Sequence, residues 1–179
     1  MESDNSIKIE WLRSVVERFE APLIRYAASL TGNAENARDV VQDTFVRLCA
    51  QQPEPLKASL AQWLFTVCRR RALDIRRKEM RMTRLLELQS VTHEETTPLR
   101  AAEERESANE LLKLVAMLPP KQRDVLRLKF QTGLSYQEIS EITNLSVSNV
   151  GFLLHTAIKT LRTQIGTRQG REEANDEPR

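Results

Sequence analysis

The chain has 179 residues, room for one or two domains, with 29% charged residues, only 5% aromatics, five glycines and no run of β-branched residues alternating with polar ones. That composition favours an all-α protein. Net charge is only +2, so any polyanion partner has to be read from local clustering rather than from the average. No apolar run approaches the ~20 residues that a membrane span needs. The start, MESDNSIKIE, has no signal-peptide core, and a cytoplasmic protein is expected.

In chain order, Leu12, Val16, Phe19, Leu23, Tyr26 and Leu30 recur at steps of three and four. They predict an amphipathic helix, or two helices broken at Pro22, because proline kinks a helix interior. Gly32 suits a left-handed cap and Asn33 an N-cap. In the next helix Ala37, Val41, Thr44 and Leu48 point inward, while Asp39, Asp43, Val46 and Arg47 lie elsewhere on its surface. A solvated face and a docking face for another helix both fit those surface residues. Pro53 and Pro55 then enforce a loop.

Ser59 and Gln62 have capping-box spacing and open a helix with Leu60, Trp63, Leu64 and Val67 as core. It turns abruptly basic: between Arg69 and Arg84 stand eight cations against Asp74 and Glu79. These charges go around much of the helix, so i,i+4 pairing cannot neutralise them. The run points to a nucleic-acid backbone, whose binding is driven by counterion release. Trp63 and Phe65 either stack on unpaired bases or belong to the core, and for Trp63 the core reading is preferred. From Gln89 to Glu106 large apolar residues thin out and acids dominate, which predicts a flexible acidic linker. Such a linker between basic units can cover their DNA-facing surfaces when DNA is absent.

A second domain starts near Ser107, with Leu111, Leu112, Val115 and Leu118 on one face. Pro119 and Pro120 end that helix, and Pro120 can begin the next. Val125, Leu126, Leu128 and Phe130 are expected inward or nearly so, with Lys121, Arg123 and Arg127 placed to meet phosphates. Beyond Gly133 comes LSYQEISEITNLSVSNVGFLLHTAIKTLR. Ser135 and Glu138 form a capping box, with Tyr136, Ile139 and Ile142 on one face. Asn144 suits the left-handed turn and Ser146 caps a second helix. Val150, Leu154, Ala157, Ile158 and Leu161 make one buried stripe, and Ser148, Asn149, Phe152, His155 and Lys159 lie opposite. That division is what a helix-turn-helix recognition helix needs. After Ile165 the tail is polar and expected to be disordered.

Chemistry-bearing motifs are few. The two histidines, His93 and His155, form no H-E-x-x-H, and Cys49 and Cys68 lack C-x-x-C spacing, so no metal site is expected. Both cysteines read as reduced core residues. Neither a glycine-rich phosphate loop nor G-x-S-x-G is present. No cofactor is expected, and an enzyme has no positive support.

Four stretches in order carry a family resemblance: LIRYAASLTGNAENARDVVQDTFVRL, WLFTVCRRRALDIRRK, LPPKQRDVLRLKFQTGLSYQEIS and LSVSNVGFLLHTAIKTLR. Together they resemble the two-domain bacterial sigma factors of the extracytoplasmic-function type. The resemblance implies two small helical domains, 1–88 and 107–165, around the linker 89–106, with 166–179 as tail. It implies that the first domain binds core RNA polymerase, melts the promoter at the minus-ten element and captures an unpaired base. It implies that the second reads the minus-thirty-five element while the linker runs toward the RNA exit channel. By motif, Asp39, Gln42, Asp43, Phe45 and Arg47 would meet polymerase. Trp63, Arg69, Arg70, Asp74, Arg76, Arg77 and Lys78 would serve the minus-ten element. Lys121, Arg123, Ser146, Ser148, Asn149, Phe152, His155 and Lys159 would serve the minus-thirty-five element. An anti-sigma protein is an expected partner, and the free chain is expected to be a monomer.

Two departures stand out. Family members often have Asn at the position of Arg70, and many carry Lys or Arg where this recognition helix has Gly151, Leu154 and Thr156. Contact there would be weaker electrostatically, or would depend on Asn149, Phe152 and His155, for instance through apolar contact with thymine methyls. Gly151 in mid-helix costs about 1 kcal/mol relative to Ala, suggesting close backbone approach to DNA or simple tolerance. Two other readings compete. One is a conventional helix-turn-helix regulator, which leaves the stretch from Trp63 to Lys78 without a role. The other is a sigma-like interaction module that opens no promoter.

Overall fold

Among the described residues, apolar stripes at helical spacing become the packing faces of eight α-helices. The computed structural model describes residues 2–56, 58–87 and 104–175, and no strand occurs among them. The helices are α1 (Glu2–Thr31), α2 (Ala34–Cys49), α3 (Pro53–Leu56), α4 (Leu60–Glu87), α5 (Glu104–Met117), α6 (Pro120–Thr132), α7 (Tyr136–Thr143) and α8 (Val147–Asn175). Most of the expected acidic linker, and with it the idea that it covers DNA-facing surfaces, lies outside the described residues.

The N-terminal core is built by α1, α2 and α4, which pack on one another. α1 is a single helix through Pro22 rather than two. Val15 and Phe19 before the proline and Leu23 and Tyr26 after it are all buried. Packing on both sides holds the helix across the missing hydrogen bond. Val15, not Val16, is the buried member of its pair. Ala37, Val41, Thr44 and Leu48 face inward as expected, joined by Val40. Asn33 caps α2 by accepting from the N–H groups of Glu35 and Asn36. Phe65 is fully buried and meets the Tyr26 ring edge-on at 5.4 Å, so base stacking is not its role. The expected capping box on α4 does not form: the Ser59 N–H goes to the Leu56 carbonyl, and Gln62 reaches across to Glu141.

In the C-terminal half α6, α7 and α8 surround Val125, Leu128, Ile139, Val150, Leu154 and Ala157. Gly133 takes the left-handed conformation that closes α6. Phe130 is 66% exposed instead of inward, and Leu111 and Leu112 are also exposed. With Val115, Ile158 and Ile165 they line an apolar groove of about 430 Å³ between α5, α6 and α8. α8 continues to Asn175 rather than ending near Ile165. The stretch REEAN is rich in helix formers, and the next proline comes only at Pro178. The two halves touch where α7 lies on α4 and α6 on α1.

The cysteines divide. Cys68 is buried, and desolvation pushes its thiol up to about 12. Cys49 is exposed at the end of α2, against the expectation of a core residue: the stripe of Ala37, Val41 and Leu48 passes beside it. Because the thiolate is the nucleophile, a maleimide reagent at neutral pH should modify Cys49 rapidly. Cys68 should react only after denaturation, and mass spectrometry of the labelled peptides checks both.

Candidate nucleic-acid interface

The helix-turn-helix is assembled by local rules. The Ser135 hydroxyl accepts from the Glu138 N–H at 3.2 Å, and the Glu138 carboxylate accepts from the Ser135 N–H at 2.7 Å. This reciprocal cap starts α7. Asn144 ends it at φ 57°, the one non-glycine residue with positive φ among the described residues. The Ser140 hydroxyl donates to the Leu145 carbonyl at 2.6 Å and the Leu145 N–H returns to the Ser140 carbonyl at 3.2 Å, tying the turn to α7. The Ser146 hydroxyl accepts from the Asn149 N–H at 3.2 Å and so caps α8.

The apolar side of α8 (Val150, Leu154, Ala157, Leu161) is buried as its spacing predicted, with Ile158 packed beside it. Ser146, Ser148, Asn149, Phe152, His155 and Lys159 are all exposed, with Phe152 at 66%. Tyr136 is not inward with Ile139 and Ile142; its ring lies under Lys129 Nζ, 5.4 Å from the centroid. Lys129 also donates to the Leu134 carbonyl at 3.0 Å, which fixes the entry to α7.

Several expected phosphate contacts are used internally. Lys121 is exposed. Arg123 is half-buried and donates to the Leu118 carbonyl at 3.0 Å. Arg127 donates to the Ser29 carbonyl at 3.2 Å, and its burial, then Arg123 beside it, lowers its pKa. Arg123 turns to its own half and Arg127 to α1 across the boundary, so each donates to a protein carbonyl rather than standing free for a phosphate as the sequence suggested.

The basic run on α4 divides the same way. Arg70, Arg76, Arg77 and Lys78 are exposed, and Asp74 pairs with Arg77 at 3.0 Å. Arg69 is instead drawn into the boundary between the halves, where its Nε lies 2.9 Å from Asp124 Oδ2. The Tyr26 hydroxyl donates to Asp124 Oδ1 at 2.7 Å. Burial, and then the charge of Asp124, hold the Tyr26 pKa well above its ordinary value, so the hydroxyl stays a donor. Sequence reasoning missed Asp124 altogether. Its one signal was an acid within the otherwise basic stretch from Lys121 to Lys129. Trp63 is half-buried against the core.

On α2, Asp39, Gln42 and Arg47 are exposed, and Phe45 packs partly on the core. Asp43 faces Arg71, with Arg71 Nε 2.7 Å from Asp43 Oδ2 as an ion pair rather than an aligned hydrogen bond. Val46 is 64% exposed among these polar residues. Among the described residues no cluster of His, Cys, Asp and Glu suits a metal ion, and no helix is long and apolar enough to cross a membrane.

Two helical units, the second containing a helix-turn-helix, define the class of all-α proteins to which this chain belongs. Residues 15–82 match the family model of sigma-70 region 2, and residues 108–161 match that of sigma-70 region 4. The chain is 34% identical over 157 residues to the ECF RNA polymerase sigma factor SigL of Mycobacterium tuberculosis, covering 84% of this chain and 86% of that one. It is 26% identical over 162 residues to the ECF RNA polymerase sigma factor SigW of Bacillus subtilis, covering 84% and 87%. Its fold is similar to that of the sigma factor RpoE in complex with the anti-sigma factor NepR from Bartonella quintana, with TM-score 0.73, 23% identity, and 88% and 97% coverage. It is also similar to CnrH in complex with the cytosolic domain of CnrY, with TM-score 0.60, 22% identity, and 87% and 88% coverage. The chain belongs to the extracytoplasmic-function sigma factors of the sigma-70 family. It is a promoter-specificity factor for RNA polymerase, a class that acts in transcription rather than as enzymes.

Gly151 has room for a methyl group. A Cβ there would lie 3.6 Å from Tyr136 Cε2, an ordinary van der Waals contact, and the backbone is helical. Gly151→Ala should therefore raise stability by up to about 1 kcal/mol, measured by urea denaturation. Unchanged duplex affinity would identify simple tolerance of glycine, and a loss would identify close backbone approach to DNA.

Proposed function

We propose that this sigma factor opens promoter DNA as well as locating it, and that α4 carries the opening step. The observation behind this is the exposed cationic stretch of Arg70, Arg76, Arg77 and Lys78, only partly offset by Asp74, with half-buried Trp63 and Arg69 further up the same helix. Separated strands bring phosphates and unstacked bases, and cations beside an aromatic serve both. Ser148, Asn149, Phe152 and His155 on α8 would read the minus-thirty-five duplex, with Ser146, Lys159 and Lys121 at its edges. Because that face is poor in charge, hydrogen bonds and methyl contacts would carry its selectivity.

Asp39, Gln42 and Arg47 around exposed Val46 would dock on core polymerase, with Phe45 and Asp43 shaping that face of α2. The apolar groove of α5, α6 and α8 would receive an amphipathic helix of an anti-sigma protein, since both similar structures named above were solved with partner proteins, one of them called an anti-sigma factor. A cytoplasmic location and a monomeric free state follow from this role. Domains 1–88 and 107–165 are part of the same proposal.

Gel filtration with sigma-free core polymerase should give stoichiometric co-elution, competed by another sigma factor. Arg76→Ala combined with Arg77→Ala should lower open-complex formation about tenfold or more while leaving co-elution intact, read by permanganate footprinting. Equal loss of both would contradict the assignment to α4. Co-elution of the native chain without opening at any promoter would favour the interaction module. Failure to co-elute with duplex binding retained would favour the conventional regulator.

A further inference from the structure

The exposed apolar residues of the C-terminal half are not scattered. Leu111 and Leu112 of α5, Phe130 of α6 and Ile165 of α8 are between 36% and 66% exposed, and all line the groove of about 430 Å³ with Leu126 and Leu161 buried beneath. A contiguous apolar patch of this kind marks a binding surface, where single exposed side chains do not. The volume falls in the range of small-ligand sites, roughly 300–1,000 Å³, and clefts between packed helices are a common place for them.

The charge of the groove has one sign. Among the described residues no acid lines it, and the charged residues that do are Arg127 and Arg162. Arg162 is exposed and enters no ion pair among the described residues. Arg127 is half-buried and donates to the Ser29 carbonyl at 3.2 Å. Asp124 beside it already accepts from Tyr26 and Arg69. Burial, and then the charge of Arg123, push the Arg127 pKa down, so an added anion would relieve a strained cation. A guanidinium has five donors, and the Ser29 bond leaves some of them for a ligand. The walls are aliphatic apart from Phe130, and their polar side chains are Gln131 and the two arginines. A ligand that suits them has one anionic end and an unbroken apolar body.

We propose that this groove binds a single long-chain carboxylate, with the alkyl chain along its apolar floor and the carboxylate toward Arg162 and Arg127. The groove cannot hold such a chain and a partner helix at once, so the carboxylate would compete with the helix. That consequence rests on the proposed docking of an anti-sigma helix; the binding itself does not.

The test is calorimetric titration of the full chain with octanoate, decanoate and dodecanoate, each below its micelle-forming concentration. Trimethylammonium amphiphiles of matched chain length serve as the cationic comparison. Affinity should rise about fourfold for each added methylene of the carboxylate. Arg162→Gln should weaken the carboxylate about tenfold and leave the cationic amphiphile no weaker. Leu112→Glu, at an exposed position of the groove, should abolish carboxylate binding. Ile7→Glu, at an equally exposed apolar position on α1, should leave it unchanged. Helix content, followed by circular dichroism, should hold through the titration. Affinity that ignores chain length, no preference for the anion, loss of helix, or equal weakening by Ile7→Glu and Leu112→Glu would each overturn the site. Binding to phosphatidylglycerol vesicles but not to the monomeric carboxylate would overturn it in favour of a membrane surface. The titration contains neither polymerase nor DNA, so failure of the promoter-opening reading would leave its outcome standing.

Discussion

A carboxylate removed from water must find donors or neutralise itself, and Asp124 finds both of its donors in the other domain. The buried apolar residues form one cluster that runs through both halves, from Leu23, Tyr26, Val40 and Phe65 to Val125, Leu128, Ile139 and Leu154. The carboxylate bears on how the halves sit. Tyr26 shows the two roles in one side chain, with its ring against Phe65 in the core and its hydroxyl on Asp124 at the boundary. Around that point Arg127 reaches Ser29, and Gln62 meets Glu141. Buried ion pairs contribute little net stability but are strongly directional. Directionality is what a boundary between two small domains requires.

The helix-turn-helix depends on local chemistry instead. Its capping box, left-handed Asn144 and Ser146 cap are each formed by residues within a few positions of one another. A cap of this kind is worth about 0.5–2 kcal/mol. Stacked in sequence, these devices fix where α7 ends and where α8 begins. That sets which side of α8 is buried and which is left to contact DNA under the proposed function. The exposed side holds hydrogen-bonding groups and one aromatic rather than a row of cations. Most of the exposed positive charge of the interface lies on α4.

Arginine is the residue type that changed meaning between chain and fold. Read along the sequence, Arg69, Arg70, Arg76 and Arg77 are equivalent, as are Lys121, Arg123 and Arg127. In three dimensions Arg69, Arg123 and Arg127 face protein acceptors, and Arg70, Arg76, Arg77 and Lys121 face solvent. A guanidinium presents five donors in a rigid fork and can donate to a carbonyl, a carboxylate or a phosphate. Arg123 meets Leu118 five positions back, but the acceptors of Arg69 and Arg127 stand 55 and 98 positions away and leave no trace in local spacing.

The sequence by itself determined most of the helices, though not the short α3 at Pro53–Leu56 that it read as a loop. It determined the caps of α2, α7 and α8, and most of the inward faces, down to Ala37, Val41, Thr44 and Leu48 on α2 and Val150, Leu154, Ala157 and Leu161 on α8. It also determined the family, through four ordered stretches that survive as two matched regions. These features rest on interactions within a few residues, or on a periodicity that any apolar core imposes. Tertiary structure alone decided that α1 runs unbroken through Pro22, that Phe65 is core and Phe130 is not, and that Cys49 lies outside while Cys68 lies within. It alone decided that Asp124 would take Arg69. Each of those outcomes depends on which surface a distant helix presents. A periodic pattern says that one face must be covered; only the packed fold says by what.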